Sequence, residues 1–214
     1  MSARPEGYIP AAGNDWLLPL YDPLWRYVFR EKNLRSEILA HAKIGARSRV
    51  LDVGCGTGTQ ALLIKRAHPD AEVIGLDGDP GALAIAKRKI AREGLEVGLD
   101  EGLATALPYA DGRFDRVVSS FVFHHLEVPD KQRAAAEILR VLAPGGSFLL
   151  VDFGAPRTGV ERALARFLGR TAHVRLQLEG GIPALLRDAG FSRVEDVAQR
   201  GMGFARVWYW RATG

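Results

Sequence analysis

The sequence predicts an α/β protein: a doubly wound, mostly parallel sheet closed by a C-terminal antiparallel hairpin, seven strands in all, with a helical N-terminal lid. Three observations carry this. Short apolar runs alternate with helix-compatible stretches from Arg49 to Val151, the pattern of a parallel sheet covered on both faces. The first run, Val50-Leu51-Asp52-Val53, ends in a turn with glycines at alternate positions, Gly54, Gly56 and Gly58. Four polar residues, Asp52, Asp77, Ser119 and Asp152, fall at or near the carboxyl ends of predicted strands, the edge where such sheets bind ligands.

In chain order, residues 1–48 form an N-terminal extension. Its aromatic segment 16–30 is broken by Pro19 and Pro23, and residues 31–43 read as a helix. The segment either packs on the sheet or closes over a ligand, with Tyr21 and Asp22 near the hinge. Residues 49–214 form the main domain. Arg49–Val53 is the first strand and 58–67 the first helix after it; Ala71–Leu76 is a strand ending at Asp77. Pro80 opens a helix to about Arg92, since proline is tolerated in a first turn, and Gly94 stops it. A weak strand follows at 95–99 and an apolar one at Phe114–Ser119. Asp130 is the expected cap of a helix to Leu142, terminated by Pro144-Gly145-Gly146, and Phe148–Val151 is a buried strand. An insertion over 155–180 precedes a short helix at 181–189. Strands at 193–198 and 204–211, the second with a clear period of two, meet near Gly201 and Gly203.

Composition narrows the function classes. The chain has 214 residues, 47% of them hydrophobic, enough for one packed core. A formal net charge of +4 favours a small acidic ligand over dedicated nucleic-acid binding. The single cysteine, Cys55, excludes an internal disulfide, and neither a signal peptide nor an 18-residue apolar run is visible, so the expected location is cytoplasmic. Five histidines and one cysteine show no metal-ligand spacing beyond the pair His124-His125, so no metal site is expected.

A turn of this kind lets backbone approach a ligand that side chains would exclude. Gly56-Thr57-Gly58-Thr59-Gln60-Ala61 fits the loose dinucleotide fingerprint, with Asp77 about twenty residues on as the ribose acid. Against a dinucleotide stands Asp52, whose carboxylate at the mouth of the turn would repel a pyrophosphate but attract a cationic ligand.

The stretch Val50 to Gly58 resembles motif I of the class I S-adenosylmethionine-dependent methyltransferases, which have a Rossmann-like sheet. Further stretches are similar in the same order: Val73 to Asp77, Ala106 to Asp115, Phe123-His124-His125-Leu126, and Arg140 to Gly146. Together they span about residues 49–153 and look most like the small-molecule branch typified by ubiquinone/menaquinone-biosynthesis methyltransferases. The resemblance implies S-adenosylmethionine as cofactor and S-adenosylhomocysteine as product. It implies that Gly54, Cys55, Gly56 and Gly58 pass beside the methionine part and that Asp52 orients the ammonium. Asp77 would take both ribose hydroxyls, Gly78 would let adenine lie flat, Leu103 and Ala104 would line its pocket, and Ser119 and Ser120 would close the floor. Tyr21 would reach the cofactor from the lid. Many relatives carry an acid where Leu103 stands, so here adenine would rely on backbone, apolar packing, and Asp100 or Glu101.

On the acceptor side, methyl transfer needs alignment and exclusion of water, and a base only if the acceptor loses a proton. By position, His124, His125, Tyr21 and Asp152 are the catalytic candidates. Ser119-Ser120-Phe121-Val122-Phe123 lacks the Asn/Asp-Pro-Pro-Tyr/Phe signature of enzymes that methylate amino nitrogens of DNA bases or protein glutamine. The insertion carries Arg157, Arg162, Arg166, Arg170 and Arg175 beside Val160, Leu164, Phe167 and Leu168 at helical spacing. That is either a solvated basic face, a clamp for an acidic, aromatic or lipid-like acceptor, or a peripheral membrane contact. The functional expectation is a small-molecule methyltransferase. A cofactor-binding regulator or partner subunit without turnover and an RNA methyltransferase are the alternatives, and DNA is not an expected partner.

Overall fold

The structure, a computed structural model, describes residues 31–168, 172–201 and 205–214. Tyr21, Asp22 and the aromatic segment before residue 31 lie outside the described residues, as do Arg170, Gly203 and the side chains of residues 164–174, Arg166 among them. Seven strands form one sheet in the order β3-β2-β1-β4-β5-β7-β6. They are β1 (Arg49–Val53), β2 (Glu72–Asp77), β3 (Gly98–Glu101), β4 (Phe114–Ser120), β5 (Leu142–Phe153), β6 (Arg193–Gly201) and β7 (Arg206–Thr213). Strands β1 to β5 pair in parallel, whereas β7 runs antiparallel to both β5 and β6. The strand order reverses between β1 and β4, and the crevice above that point is where a ligand fits such a sheet.

The apolar alternation along the strands sorts side chains to two layers. Leu51, Val53, Val117, Phe148 and Leu150 face one side, covered by helices α4 (Val128–Val141) and α7 (Ile182–Asp188). Val50, Val73, Val118, Leu149 and Val151 face the other, covered by α1 (Glu31–Ala42) and α2 (Thr59–Ala67). Leu34 and Ile38 of α1 are almost fully buried there, so this part of the N-terminal segment is core packing. Helix α3 (Pro80–Glu93) lies beside β2 and β3. Helices α5 (Gly159–Leu168) and α6 (Ala172–Leu178) lie between β5 and α7.

Several expected boundaries shift for local reasons. Helix α3 is capped by Asp79, whose carboxylate accepts from the N–H groups of Gly81 (2.8 Å) and Ala82 (3.3 Å). Asp130 does not cap α4: the helix begins two residues earlier behind Glu127, and Asp130 instead pairs with Arg133 at 2.6 Å. Pro144-Gly145-Gly146 does not separate helix from strand. Helix α4 passes directly into β5 at Leu142, and the tripeptide is absorbed where the β4–β5 register shifts between Phe114 and Arg116. The third strand sits at Gly98–Glu101, later than expected, because it is aligned by pairing with β2 and not by its own apolar content. Helix α5 opens with a reciprocal box that sequence reading missed: Glu161 accepts from the Thr158 N–H, and the Glu161 N–H donates to the Thr158 hydroxyl. Glu161 is buried and also takes the Arg206 guanidinium of β7 at 3.1 Å, which ties this helix to the sheet.

Gly58 precedes α2 with φ +73°, and a Cβ there would stand 2.8 Å from the Cβ of Ala86 in α3. The close approach of two helices therefore demands this glycine. Gly58→Ala should lower unfolding free energy by about 1–3 kcal/mol, from left-handed strain and the clash. Urea denaturation measures it, and an unchanged midpoint would remove the close-approach argument.

Candidate functional site

Residues 54–58 turn sharply out of β1 because β2 holds them. The N–H groups of Gly54 and Cys55 both donate to the Leu76 carbonyl, at 2.8 and 3.0 Å. The Gly56 N–H donates to one Asp77 carboxylate oxygen at 2.7 Å, and the Asp79 N–H to the other at 2.9 Å. Asp77 thus clips the glycine turn to the start of α3, and each of its oxygens retains acceptor capacity for a ligand hydroxyl. Burial pushes its carboxyl up, while these N–H bonds oppose the rise. A Cβ on Gly56 would meet nothing within 4 Å, so the turn presents open space at this point. Cys55 turns inward against Gly75, and burial pushes its thiol well up, so it is a packing residue and not a nucleophile.

Asp52 alternates with Leu51 and Val53 and therefore lies on the α1–α2 side of the sheet. It is 1% exposed, and among the described residues neither carboxylate oxygen has a partner at hydrogen-bond distance, the Ala61 amide lying too far to bond. Desolvation pushes its carboxyl up to about 7, reinforced by the Asp77 charge and opposed by Arg35 of α1 and the Ala61 amide. Gln60, in the first turn of α2, is 2% exposed and also has both amide atoms unpaired. Unpaired buried polar groups at a glycine turn leave a concentrated demand for a polar, partly cationic ligand end.

The far side of the turn is apolar. The Gly102 N–H donates to the Asp77 carbonyl at 3.1 Å, which brings Leu103 and Ala104 beside the end of β2. Both are half-buried, and Leu103 bridges to Ala106. Asp100, expected as a substitute acceptor, takes the Tyr109 hydroxyl at 2.9 Å, while Glu101 is exposed. Gly78 is buried between Asp77 and the cap Asp79. The Ser119 hydroxyl donates to the Val53 carbonyl at 3.0 Å and so joins β4 to the root of the glycine turn. Ser120, half-buried, follows it.

After β4 the chain reverses through Phe121, whose φ is +57° and whose N–H donates to the Val151 carbonyl. Val122 comes next and presses on the glycine turn: a Cβ on Gly54, itself at φ +71°, would lie 2.2 Å from its Cγ2. One turn of 3-10 helix, Phe123–His125, then delivers His124 to Asp152 at the end of β5. Asp152 is fully buried and accepts the His124 main-chain N–H at 3.0 Å, with the ring Nδ1 2.8 Å from its other oxygen. With Nδ1 donating to the carboxylate, Nε2 of the neutral ring is the nitrogen that can accept a proton. The ring lies against His125 (centroids 3.9 Å apart) and edge-on to Phe153 (5.0 Å).

The structure therefore brings His124, His125 and Asp152 together, and places them across the Val122–Gly54 contact from Asp52 and Asp77. Tyr21 lies outside the described residues. Of the insertion's arginines, Arg157 lies over the Trp208 ring at 5.0 Å and Arg175 pairs with Glu179 at 2.7 Å. Sequence reading missed Lys131, which is fully buried and donates to the Leu126 carbonyl, two residues beyond His124. Desolvation pulls its ammonium down to about 8, opposed by Asp152, Glu127 and Asp130. The signal was present, since Lys131 falls on the buried stripe of Ala134, Ala135, Ile138 and Val141. Gln177 was also missed, having no motif to announce it, and Gln60 was read only as a variable position of the Gly56–Ala61 stretch. Among the described residues no cluster suited to a metal ion occurs, and no helix is long and apolar enough to cross a membrane.

Residues 50–146 match the family model described as a methyltransferase domain. The demethylmenaquinone methyltransferase of Thermus thermophilus is 41% identical over 145 residues, which cover 67% of this chain and 65% of that protein. Its counterpart in Deinococcus radiodurans is 36% identical over 152 residues, covering 70% of this chain and 62% of the relative. The chain thus spans slightly less than two thirds of the length of these relatives. Among solved structures, phosphoethanolamine N-methyltransferase 2 of Haemonchus contortus, in complex with S-adenosylhomocysteine, superposes with a TM-score of 0.75 at 16% identity, covering 100% of this chain and 60% of that one. With the reversed strand order and the glycine turn clipped by Asp77, residues 50–146 match a methyltransferase domain, and the chain resembles the class I S-adenosylmethionine-dependent methyltransferases, among them the relatives named demethylmenaquinone methyltransferase.

Proposed function

We propose that this protein transfers a methyl group from S-adenosylmethionine to a small hydroxylated aromatic acceptor of the quinol class, with His124 as the proton acceptor. The observation that carries this reading is the joining of an open, Asp77-clipped glycine turn to an Asp152-oriented histidine through a single side-chain contact, Val122 on Gly54. The relatives' name supports the acceptor class, and a base within the site suits an acceptor that must lose a hydroxyl proton.

The residues present fit the cofactor. Asp77 would accept from the ribose hydroxyls through its remaining lone pairs, a charge-assisted contact. Asp52 would face the ammonium and Gln60 the carboxylate of the amino-acid end, ending the isolation of both groups. Leu103 and Ala104 would flank adenine, and the segment before residue 31 would close over it. S-Adenosylmethionine supplies the methyl as an electrophile on sulfonium and leaves as S-adenosylhomocysteine. Asp152 holds the His124 ring by Nδ1 so that Nε2 receives the acceptor's hydroxyl proton, and the surrounding Phe121 and Phe153 rings exclude water.

Calorimetric titration with S-adenosylmethionine, S-adenosylhomocysteine and nicotinamide dinucleotides should show binding of the first two alone; binding of only a nicotinamide would end this reading. Asp77→Asn should weaken S-adenosylmethionine at least tenfold, about 1.4 kcal/mol, and unchanged affinity would take Asp77 off the ribose.

Asp52 yields a pH prediction. Its folded carboxyl holds its proton to about pH 7, whereas its ordinary value is 3.8. Between these values the folded state binds more protons than the unfolded chain, so the ligand-free protein loses stability as pH rises through that window. Asp52→Asn should flatten this part of the stability curve and weaken S-adenosylmethionine. A variant with the wild-type pH profile would show that Asp52 is not the group responsible.

His124→Ala should lower kcat by about 10²–10⁴-fold while leaving S-adenosylmethionine affinity within about twofold, the change that separates base from cofactor ligand. Turnover close to wild type would mean that the acceptor needs no base.

A further inference from the structure

We infer that Gln177 is an acceptor-binding residue that hydrogen-bonds a second oxygen of the substrate, so that the site selects aromatic acceptors bearing two oxygen functions over those with one. This rests on the function proposed above and deepens it.

Gln177 is fully buried, and among the described residues neither its Nε2 nor its Oε1 has a hydrogen-bond partner. An amide in that state loses its bonds to water with no replacement, so a purely structural role would favour an apolar side chain of the same shape. Its direction follows from helix geometry. Arg175 of α6 and Glu179, just past its end, are exposed and paired with each other along one ridge. At about 100° per residue, Gln177 stands roughly opposite that ridge. The helix packs against the 3-10 turn Phe123–His125 and against β5. Those two elements carry His124 and Asp152. Leu176, the neighbouring residue, fills the core beside Gly181 and fixes the rotation of the helix.

The inward face of α6 therefore offers one donor and one acceptor to the same region in which His124 Nε2 is available. A mono-hydroxylated ring would satisfy the histidine and leave the amide unpaired. A dihydroxylated or hydroxy-carbonyl ring would satisfy both. Selection then arises from the cost of leaving a buried amide unmade, as in sites that reject analogues lacking one hydroxyl.

The test compares label transfer from S-adenosylmethionine to 1,4-dihydroxynaphthalene and to 1-naphthol, under anaerobic conditions, by the full chain and by Gln177→Met. The wild type should prefer the dihydroxy probe by at least about tenfold, and Gln177→Met should lose about 10- to 100-fold on that probe alone, with S-adenosylmethionine affinity unchanged. In the absence of ligand Gln177→Met should melt at the same temperature as wild type or higher. Equal use of both probes by the wild type, a retained preference in the variant, or a lower melting temperature each overturns the assignment of Gln177 and leaves the methyltransferase reading standing. A wild type that binds S-adenosylmethionine but methylates neither probe overturns the quinol acceptor class, and the Gln177 assignment with it.

Discussion

The Asp77 carboxylate is the constraint on which the site depends. It receives the Gly56 N–H from the turn after β1 and the Asp79 N–H from the start of α3, so one side chain sets the spacing of two crossovers. Asp79 then caps α3, and Ala86 of that helix meets Gly58 at the start of α2. Strand, turn and both helices are thereby locked in one arrangement, with a buried carboxylate at its centre. On the proposed function the same carboxylate would receive the ribose. A group already desolvated and already held by two N–H donors needs little reorganisation to accept two more.

A second feature is the separation of charge by sheet face. Strand alternation sends Asp52 toward α1 and α2 and Asp152 toward α4. Asp52 has no side-chain partner among the described residues, and burial, reinforced by the Asp77 charge, lifts its carboxyl to about 7. Asp152 is bonded to His124 and faces the buried Lys131 ammonium. On the proposed function the first acid would await a cation that binds, while the second is already engaged with an imidazole. Their side chains diverge, yet the turns they serve touch, because Val122 rests on Gly54. Any movement of the glycine turn must be felt by the turn that carries His124.

Much of this was legible in the sequence, and for identifiable reasons. Strands β1, β2 and β4 could be read because buried parallel strands are continuous apolar runs, and the crossovers because glycine and proline mark their ends. Asp52, Asp77, His124 and Asp152 could be placed at one edge because strand ends converge there. What was not legible depended on partners distant in the chain. The third strand is aligned by β2, the Pro-Gly-Gly segment is held within β5 by a register shift, and Asp130 lost the cap to a helix that starts earlier. Lys131 could have been found from helical period alone, as a charge on a buried stripe. Gln60 and Gln177 could not, since a glutamine on a helix has no signature until its isolation is seen in three dimensions.

The unpaired groups also order the events of binding. Asp52 and Gln60 lie by the glycine turn, and Gln177 lies on the helix that covers the His124 turn. In the ligand-free protein each is a local cost, of the order of 1–3 kcal/mol for a neutral buried group. On the proposed function, binding at the glycine turn would relieve the first two and, through Val122, steady the turn on which His124 sits. The acceptor would then meet an imidazole already held by Asp152 and an amide still unsatisfied. That order would favour cofactor before acceptor, because the first ligand would complete the wall against which the second is held. Polar side chains stand where the packing alone would accept leucine or methionine, and the stability they forgo in the empty protein would be recovered only with both ligands bound.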